Sequence, residues 1–403
     1  EGSIKSDGVL LEIPQLLLKT PYSEVQILAN VPWSAFNEAP EGSMRSLFIA
    51  SIGKEDILLA AGELPEDFRS AFPDKPVSIT AGIEGNLGKL ELRGLKSGLP
   101  GAFRVEASGQ LSEITDSLRR SGKILFAAES GKLEFILGML DKKQRNYLEI
   151  PSGMNLKGEF AFGEGKYDTN LTLSEDKSRV KMKGQYNETT ENYEVALEID
   201  SLQPNHFLPK DSLLWLTATM KAKGKGLDVF SSGTRASMEA VVSDIRYGST
   251  SVSEISFRAS LEKQHLSLLL ESGYPLALLK ASLEGTLRKN EVNMHLQAQV
   301  DNLNLYRLHL VDAPLTTAFL LTAEAKSNGK QSHRLEGKLN QWELIGENQT
   351  FYPDEVRFLA KTSKDSTSIS FAAGDAHLEM KGNQYIESLS ANLSLLTEKF
   401  KEQ

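Results

Sequence analysis

Two-residue alternation of apolar and polar side chains constrains this chain more than any other feature. In Val292-Asn293-Met294-His295-Leu296-Gln297-Ala298-Gln299-Val300 every even position is apolar or small and every odd one is polar. A helix would scatter such residues around its axis, whereas a strand sends them to opposite faces of a sheet. Tyr193, Val195, Leu197 and Ile199 alternate in the same way with Glu194, Ala196, Glu198 and Asp200, as do Val180 and Met182 with Lys181 and Lys183. Similar stretches lie at Leu90 and Leu92, Phe103 to Ala107, Leu216 to Ala222, Phe257 to Leu261, Leu266 to Leu270 and Ala376 to Met380. The pattern predicts an all-β chain of antiparallel strands with one apolar and one wet face.

Helical signals are few and short. The best is Leu111 to Arg120, where Ser112 can cap and Leu111, Ile114 and Leu118 fall on one side. Pro65 to Phe72 and Lys132 to Leu140 are weaker. The long helices that an α/β chain sets between its strands have no counterpart in this sequence.

Glycine supplies a second regularity. An apolar-x-Gly-x-apolar pentad recurs around Gly85, Gly109, Gly158, Gly184, Gly285 and Gly337, with a degenerate copy at Gly382. Most intervals fall near one, two or four times a unit of about 25 residues, the size of one long hairpin. Glycine inside a strand commonly marks a bulge or bend, so these positions are expected to curl a long sheet at one place in each unit. No linker rich in Ser, Gly or Pro interrupts the repeat. Asn146 to Gly153 comes nearest, which gives two β-rich segments, 1–150 with the short helices and 151–403, continuing one sheet without a firm boundary.

Composition narrows the function. At 40% hydrophobic and 25% charged the chain can bury a large apolar surface and is expected to fold. Lys and Arg total 45 against 54 Asp and Glu with no basic cluster, which argues against nucleic acid as a partner. No run approaches the ~18 apolar residues of a membrane-spanning helix. Cysteine is absent, which removes disulfides, thiolate metal sites and thiol nucleophiles. Glu1 to Ile4 carry neither an initiator methionine nor a signal-like region, and the charged run Lys399 to Gln403 has no recognisable stop, so the chain is expected to be a fragment.

The sequence carries no familiar catalytic spacing. The histidines, at 206, 265, 295, 309, 333 and 377, lack metal-ligand spacing, and His295 and His377 fall on polar faces of alternating strands. Gly82 to Lys89 superficially suggests a phosphate loop, yet Leu90 replaces the required Ser or Thr. Gly224-Lys225-Gly226 lacks the rest of a dinucleotide fingerprint, and paired acids such as Glu198 and Asp200 read as a solvated strand face. Asn170, Asn187, Asn348 and Asn392 match the short glycosylation sequon, which long polar β chains meet by chance. The expectation is a protein without enzymatic activity, metal or cofactor. On periodicity alone, the apolar stripe reads either as the core of a β-sandwich or β-solenoid or as the lining of an open groove.

The opening Leu16-Leu17-Leu18-Lys19-Thr20-Pro21-Tyr22-Ser23, then Ile52-Gly53-Lys54-Glu55-Asp56, then Ile83-Glu84-Gly85-Asn86, and the block Met182 to Pro209 resemble the AsmA-like superfamily, and within it the TamB-type proteins of Bacteroidota. The resemblance implies an elongated, strongly curved antiparallel sheet, a β-taco built from repeated long hairpins, with a greasy groove that carries phospholipid acyl chains across the periplasm. It also implies an inner-membrane anchor and an Omp85-type outer-membrane barrel as partner, both reached through parts outside this chain, and a role in outer-membrane biogenesis. With the alternation, it nominates Val180, Met182, Tyr193, Val195, Leu197, Ile199, Phe257, Leu261, Leu266, Leu268, Leu270, Val292, Met294, Leu296 and Val300 as groove-lining residues. Two rivals stand beside it: an assembly factor that templates outer-membrane proteins by strand addition, and a surface β-solenoid adhesin.

Overall fold

Strand residues make up 62% of the computed structural model and helix 7%, which settles the fold class as all-β. The structure describes residues 1–37, 40–353 and 355–385; Asn392 and the run Lys399 to Gln403 lie outside them. Contacts divide the chain into two compact units, Glu1–Thr217 and Ala218–Gln403.

The first unit is an antiparallel meander. Its strands are β1 (Gly2–Ser6), β2 (Leu10–Lys19), β3 (Glu24–Pro32), β4 (Met44–Ile52), β5 (Val77–Asn86) and β6 (Lys89–Leu99). They continue with β7 (Phe103–Ser112), β8 (Ser121–Ser130), β9 (Asn155–Gly163), β10 (Lys166–Glu175), β11 (Ser178–Asn187) and β12 (Asn192–Leu202). Each strand from β1 to β11 pairs with the next one in sequence. Tight turns make this possible: Glu164 and Gly165 both take positive φ between β9 and β10, the requirement of a two-residue hairpin turn whose twist matches its strands.

Strand β13 (Leu213–Lys225) carries the division between the units. The second unit contains β14 (Arg235–Tyr247), β15 (Thr250–Val252), β16 (Ile255–Glu262), β17 (His265–Ser272), β18 (Ala277–Arg288) and β19 (Glu291–Asn304). It goes on through β20 (Leu315–Ser327), β21 (His333–Gly346), β22 (Thr350–Phe351), β23 (Val356–Ser363), β24 (Ser366–Ala373) and β25 (Ala376–Gly382). The main strands again pair in sequence order, and the short β15 and β22 lie within the β14–β16 and β21–β23 connections.

Among the described residues, helices are confined to two insertions in the first unit, apart from single 3₁₀ turns. Between β4 and β5 stand α1 (Lys54–Ala60) and α2 (Glu66–Ala71); between β8 and β9 stand α3 (Glu134–Leu137) and α4 (Lys142–Arg145). Two of the three helical stretches expected from sequence are therefore present, in shortened form. Leu111 to Arg120 is not helical. Leu111 lies in β7 opposite Leu90 and Gly122, in the same apolar row as the rest of that strand. Beyond it Glu113 takes φ 51°, and the Asp116 carboxylate accepts from the amides of Leu118 and Arg119 at 2.9 and 3.2 Å. Strand register and an Asp-centred turn thus override a weak helical spacing.

All seven repeat glycines lie in strands, but their spacing does not count hairpins. Gly109 and Gly158 are one hairpin apart, and the extra length between them is the α3–α4 insertion. Nor do most of them mark bulges. Register shifts occur instead between Gly82 and Ile83 and between Leu92 and Leu95. In the second unit they line up across neighbouring strands, at Leu278/Leu279, Val300/Leu303 and Ala318/Leu320. A bulge bends its strand and increases local twist, so this row folds β18 to β21 along a shared line. The Trp342 indole tightens it, donating to Thr317 Oγ1 at 3.0 Å while that hydroxyl donates to the Glu343 carbonyl at 3.0 Å.

Candidate functional site

Residues directly opposite in an antiparallel ladder project to the same side of the sheet, so register shows which side chains share a face. In the first unit Leu173, Val180 and Ile199 form one row, Leu171, Met182 and Leu197 the next, Thr169, Gly184 and Val195 a third, and Tyr167, Tyr186 and Tyr193 a fourth. The same face continues through Phe160, Ile124 and Phe126 on β9 and β8 to Leu90, Ile83 and Phe48 on earlier strands. All six nominated residues of this unit, Val180, Met182, Tyr193, Val195, Leu197 and Ile199, are on it.

The second unit repeats the arrangement. Phe257 faces Leu270, and Leu261 faces Leu266. Leu268 opposes Leu283, which opposes Leu296; Leu266 opposes Gly285, which opposes Met294. Val292 and Val300 complete the set, so all nine nominated residues of this unit share one face. Sequence reading left unnamed the aromatic residues Phe126, Phe160, Phe319, Phe358 and Phe371 on these same faces. Each sits at an alternating position, so the signal was there.

Most of these side chains are half-buried, among them Val195, Leu197, Met294 and Leu296, while Leu261 and Val300 are buried. Opposite faces carry the ion pairs, such as Lys181–Glu198 at 3.1 Å, Lys123–Glu159 at 2.8 Å and Arg258–Glu271 at 2.8 Å. The accessible surface is 25443 Å². A compact protein of this mass would expose about 15,600 Å², and two compact domains of half the mass about 19,000 Å². The surplus fits the burial of the individual residues, most of whose side chains on these faces keep partial contact with solvent.

The two faces end differently. In the first unit the helical insertions close one end: Phe135 packs edge to face with Phe68 and Phe72, which are tilted against each other, at centroid distances of 5.1 to 5.6 Å. Phe72, Phe135, Leu99 and Ala102 are buried there, over Val77 and Phe103 at the ends of β5 and β7. An Arg145–Asp67 ion pair ties α4 to α2. In the second unit a cavity of about 290 Å³ opens on the apolar face, with Ala325, Leu335, Ala360 and Ile369 on its floor. Its rim is polar: Ser327 Oγ lies 2.7 Å from His333 Nδ1, and Thr362 Oγ1 lies 3.0 Å from Thr367 Oγ1. A larger cleft, about 480 Å³, lies on the charged face beside His295, Glu324, Glu336, Lys338 and Arg357. Arg334 already pairs with Glu336, and Arg357 with Glu355. It therefore reads as a solvated hollow between paired charges.

Among the described residues no group of His, Asp and Glu is disposed to hold a metal ion. Gly82 to Lys89 forms the β5–β6 hairpin, where the Asn86 carboxamide accepts from the amides of Gly88 and Lys89 at 3.0 Å each. Two of the segments quoted for the family resemblance meet in space. Thr20 and Ser23 both donate to the Asp56 carboxylate, and the Gly53 amide donates to Ser23 Oγ at 3.0 Å. Their chemistry is that of a structural tie between the β2–β3 turn and the start of α1. No family model, curated protein or solved structure matches the chain.

Proposed function

We propose that the chain is a segment of a non-enzymatic periplasmic bridge, whose apolar sheet faces carry phospholipid acyl chains between the inner and outer membranes. The observation that supports this most is the predominantly apolar face of each unit, most of whose side chains are only half-buried among the described residues. Such a face shelters methylenes without demanding a particular headgroup. Complete burial of a sixteen-carbon chain would contribute on the order of 13 kcal/mol at ~0.8 kcal/mol per methylene. A half-open face gives a fraction of that, enough to hold a chain and still release it. Membrane anchoring and contact with an Omp85-type barrel belong, on this reading, to parts outside this sequence.

A photocrosslinking side chain at Val195, Leu197, Met294 or Leu296 should capture phospholipid from vesicles, and one at Glu198 or Gln297 should not. Equal capture at both sets would end the proposal. Strand addition to outer-membrane clients has one observation in its favour: all five residues of β1 are exposed, and among the described residues it pairs only with β2. Crosslinking of a client peptide to β1, with no lipid on either apolar face, is the result that would prefer it.

A further inference from the structure

The second unit gathers lysines that the sequence scatters. Its strands run antiparallel, so turns fall alternately at their two ends, and the turns β16–β17, β18–β19, β20–β21 and β23–β24 share one rim. Each of these turns carries an exposed lysine: Lys263, Lys289, Lys330 and Lys364. Among the described residues no carboxylate pairs with any of them, and Asp365 is the one acid within the four turns. Lys280, Lys326, Lys338 and Lys381, on the strands, are by contrast paired with glutamates. The connections of the opposite rim have no lysine and one arginine, Arg307, among the described residues, together with Glu254, Asp312, Glu347 and Asp375. Neighbouring turns on a rim are two strands apart, roughly 10 Å. That is about one Debye length at 0.1 M salt, so the fields of the four lysines overlap.

The 226–234 loop that leads into β14 belongs to the same rim. Arg235 opens β14 opposite Glu262, and Gln264 in the β16–β17 turn donates to the Phe230 carbonyl at 2.5 Å. Leu227, Val229 and Phe230 on this loop are 76%, 45% and 40% exposed, while the Asp228 carboxylate between them accepts from the Phe230 amide at 3.0 Å. Unpaired lysines beside exposed apolar side chains match a bilayer, whose phosphates take the charge and whose acyl boundary takes the apolar groups. We infer that this rim docks the second unit on a membrane surface bearing anionic headgroups, with Leu227 and Phe230 entering the interface. The opposite rim also exposes apolar side chains, Tyr247, Leu310 and Phe351 among them, but its acids oppose such a surface. Docking by the turns is independent of whether the apolar sheet faces carry acyl chains.

The experiment measures retention of the whole chain on sedimenting vesicles of phosphatidylcholine, with and without phosphatidylglycerol. Retention should require phosphatidylglycerol and fall as salt is raised. Lys289→Gln, Lys330→Gln and Lys364→Gln together should lower affinity about a hundredfold, at about fivefold for each lysine near the surface. Leu227→Ser with Phe230→Ser should lower it about tenfold, through lost apolar burial. Asp312→Asn with Glu347→Gln, on the opposite rim, should not lower it. Circular dichroism should match the parent in every variant, since all the substituted side chains are exposed. Equal retention on both vesicle types, none on either, or full retention of the triple lysine variant would overturn the inference. So would binding of soluble polyphosphate as tight as that of vesicles and indifferent to Leu227 and Phe230, which would assign the rim to a free polyanion.

Discussion

Phe358 stands directly across from Gly337 on the neighbouring strand, and its ring occupies the space above the glycine: a Cβ there would lie 2.5 Å from Phe358 Cζ. Phe126 covers Gly158 in the same way, with Leu171 on the other side. Gly158 and Gly337 therefore leave room for large side chains of adjacent strands, which shield the glycine backbone in return, whereas a Cβ at Gly85, Gly109 or Gly285 would meet a backbone carbonyl of the neighbouring strand. Gly337→Ala should cost about 1–3 kcal/mol, as overpacking does. Urea unfolding would measure it, and combining it with Phe358→Ala should recover part of the loss through coupling of neighbours.

The phenylalanine cluster of the first unit is the clearest sealed core in the chain. Phe135→Ala should destabilise by about 3–5 kcal/mol, since it empties a site in which the ring is 6% exposed. Leu59→Ala, on the neighbouring α1 but 82% exposed, should change stability by less than about 0.5 kcal/mol. Equal effects would mean that the insertions do not close this end of the face.

Strand identity and facing were legible because period-two alternation is a backbone property that register then preserves across the sheet: Val180 to Ile199 and Phe257 to Val300 needed no tertiary knowledge. Insertions were harder to read. The interval from Gly109 to Gly158 resembled two repeats because α3 and α4 lengthen one hairpin by nearly the size of another. Helix α1 went unrecognised, since its tie to Thr20 and Ser23 through Asp56 is formed by residues distant in sequence. The cavity was illegible for a related reason. It is lined from five strands, β19, β20, β21, β23 and β24, and no local pattern records how their side chains meet.

Acid should weaken the charged face first where one carboxylate serves two cations. Glu271 bonds Lys280 at 2.9 Å and Arg258 at 2.8 Å, and the hydrogen bond from Lys280, more than the charges of Lys280 and Arg258, holds its carboxyl below the usual glutamate value of 4.5. A carboxylate with a lower folded than unfolded pKa adds stability above the unfolded value, and that contribution is lost as pH falls through the folded one. Stability of the second unit should thus decline from about pH 4.5 downward. Glu271→Gln should flatten this acid limb and lower the pH 7 midpoint by the matching amount, which is small because the pair is exposed. Urea midpoints across pH 2 to 7 would show it, and an unchanged acid limb in the variant would remove Glu271 from the explanation.

A charge on the apolar face separates an open surface from a core residue by residue. Leu296 is half-buried in mid-strand, whereas Val300, four residues along β19, is 7% exposed beside the row of bulges. Leu296→Asp places its carboxylate where water still reaches it, so the protein should fold, with a midpoint lowered by no more than about 1–2 kcal/mol. Val300→Asp buries an unpaired charge and should cost about 3–5 kcal/mol or unfold the second unit. If the faces carry acyl chains, Leu296→Asp should also reduce capture of phospholipid by a probe at Met294, because a passing methylene chain meets a group it cannot solvate. The paired measurement gives each result a separate meaning. Unfolding by Leu296→Asp would place that residue in a closed core, and a folded variant with undiminished capture would deprive the lipid proposal of its support.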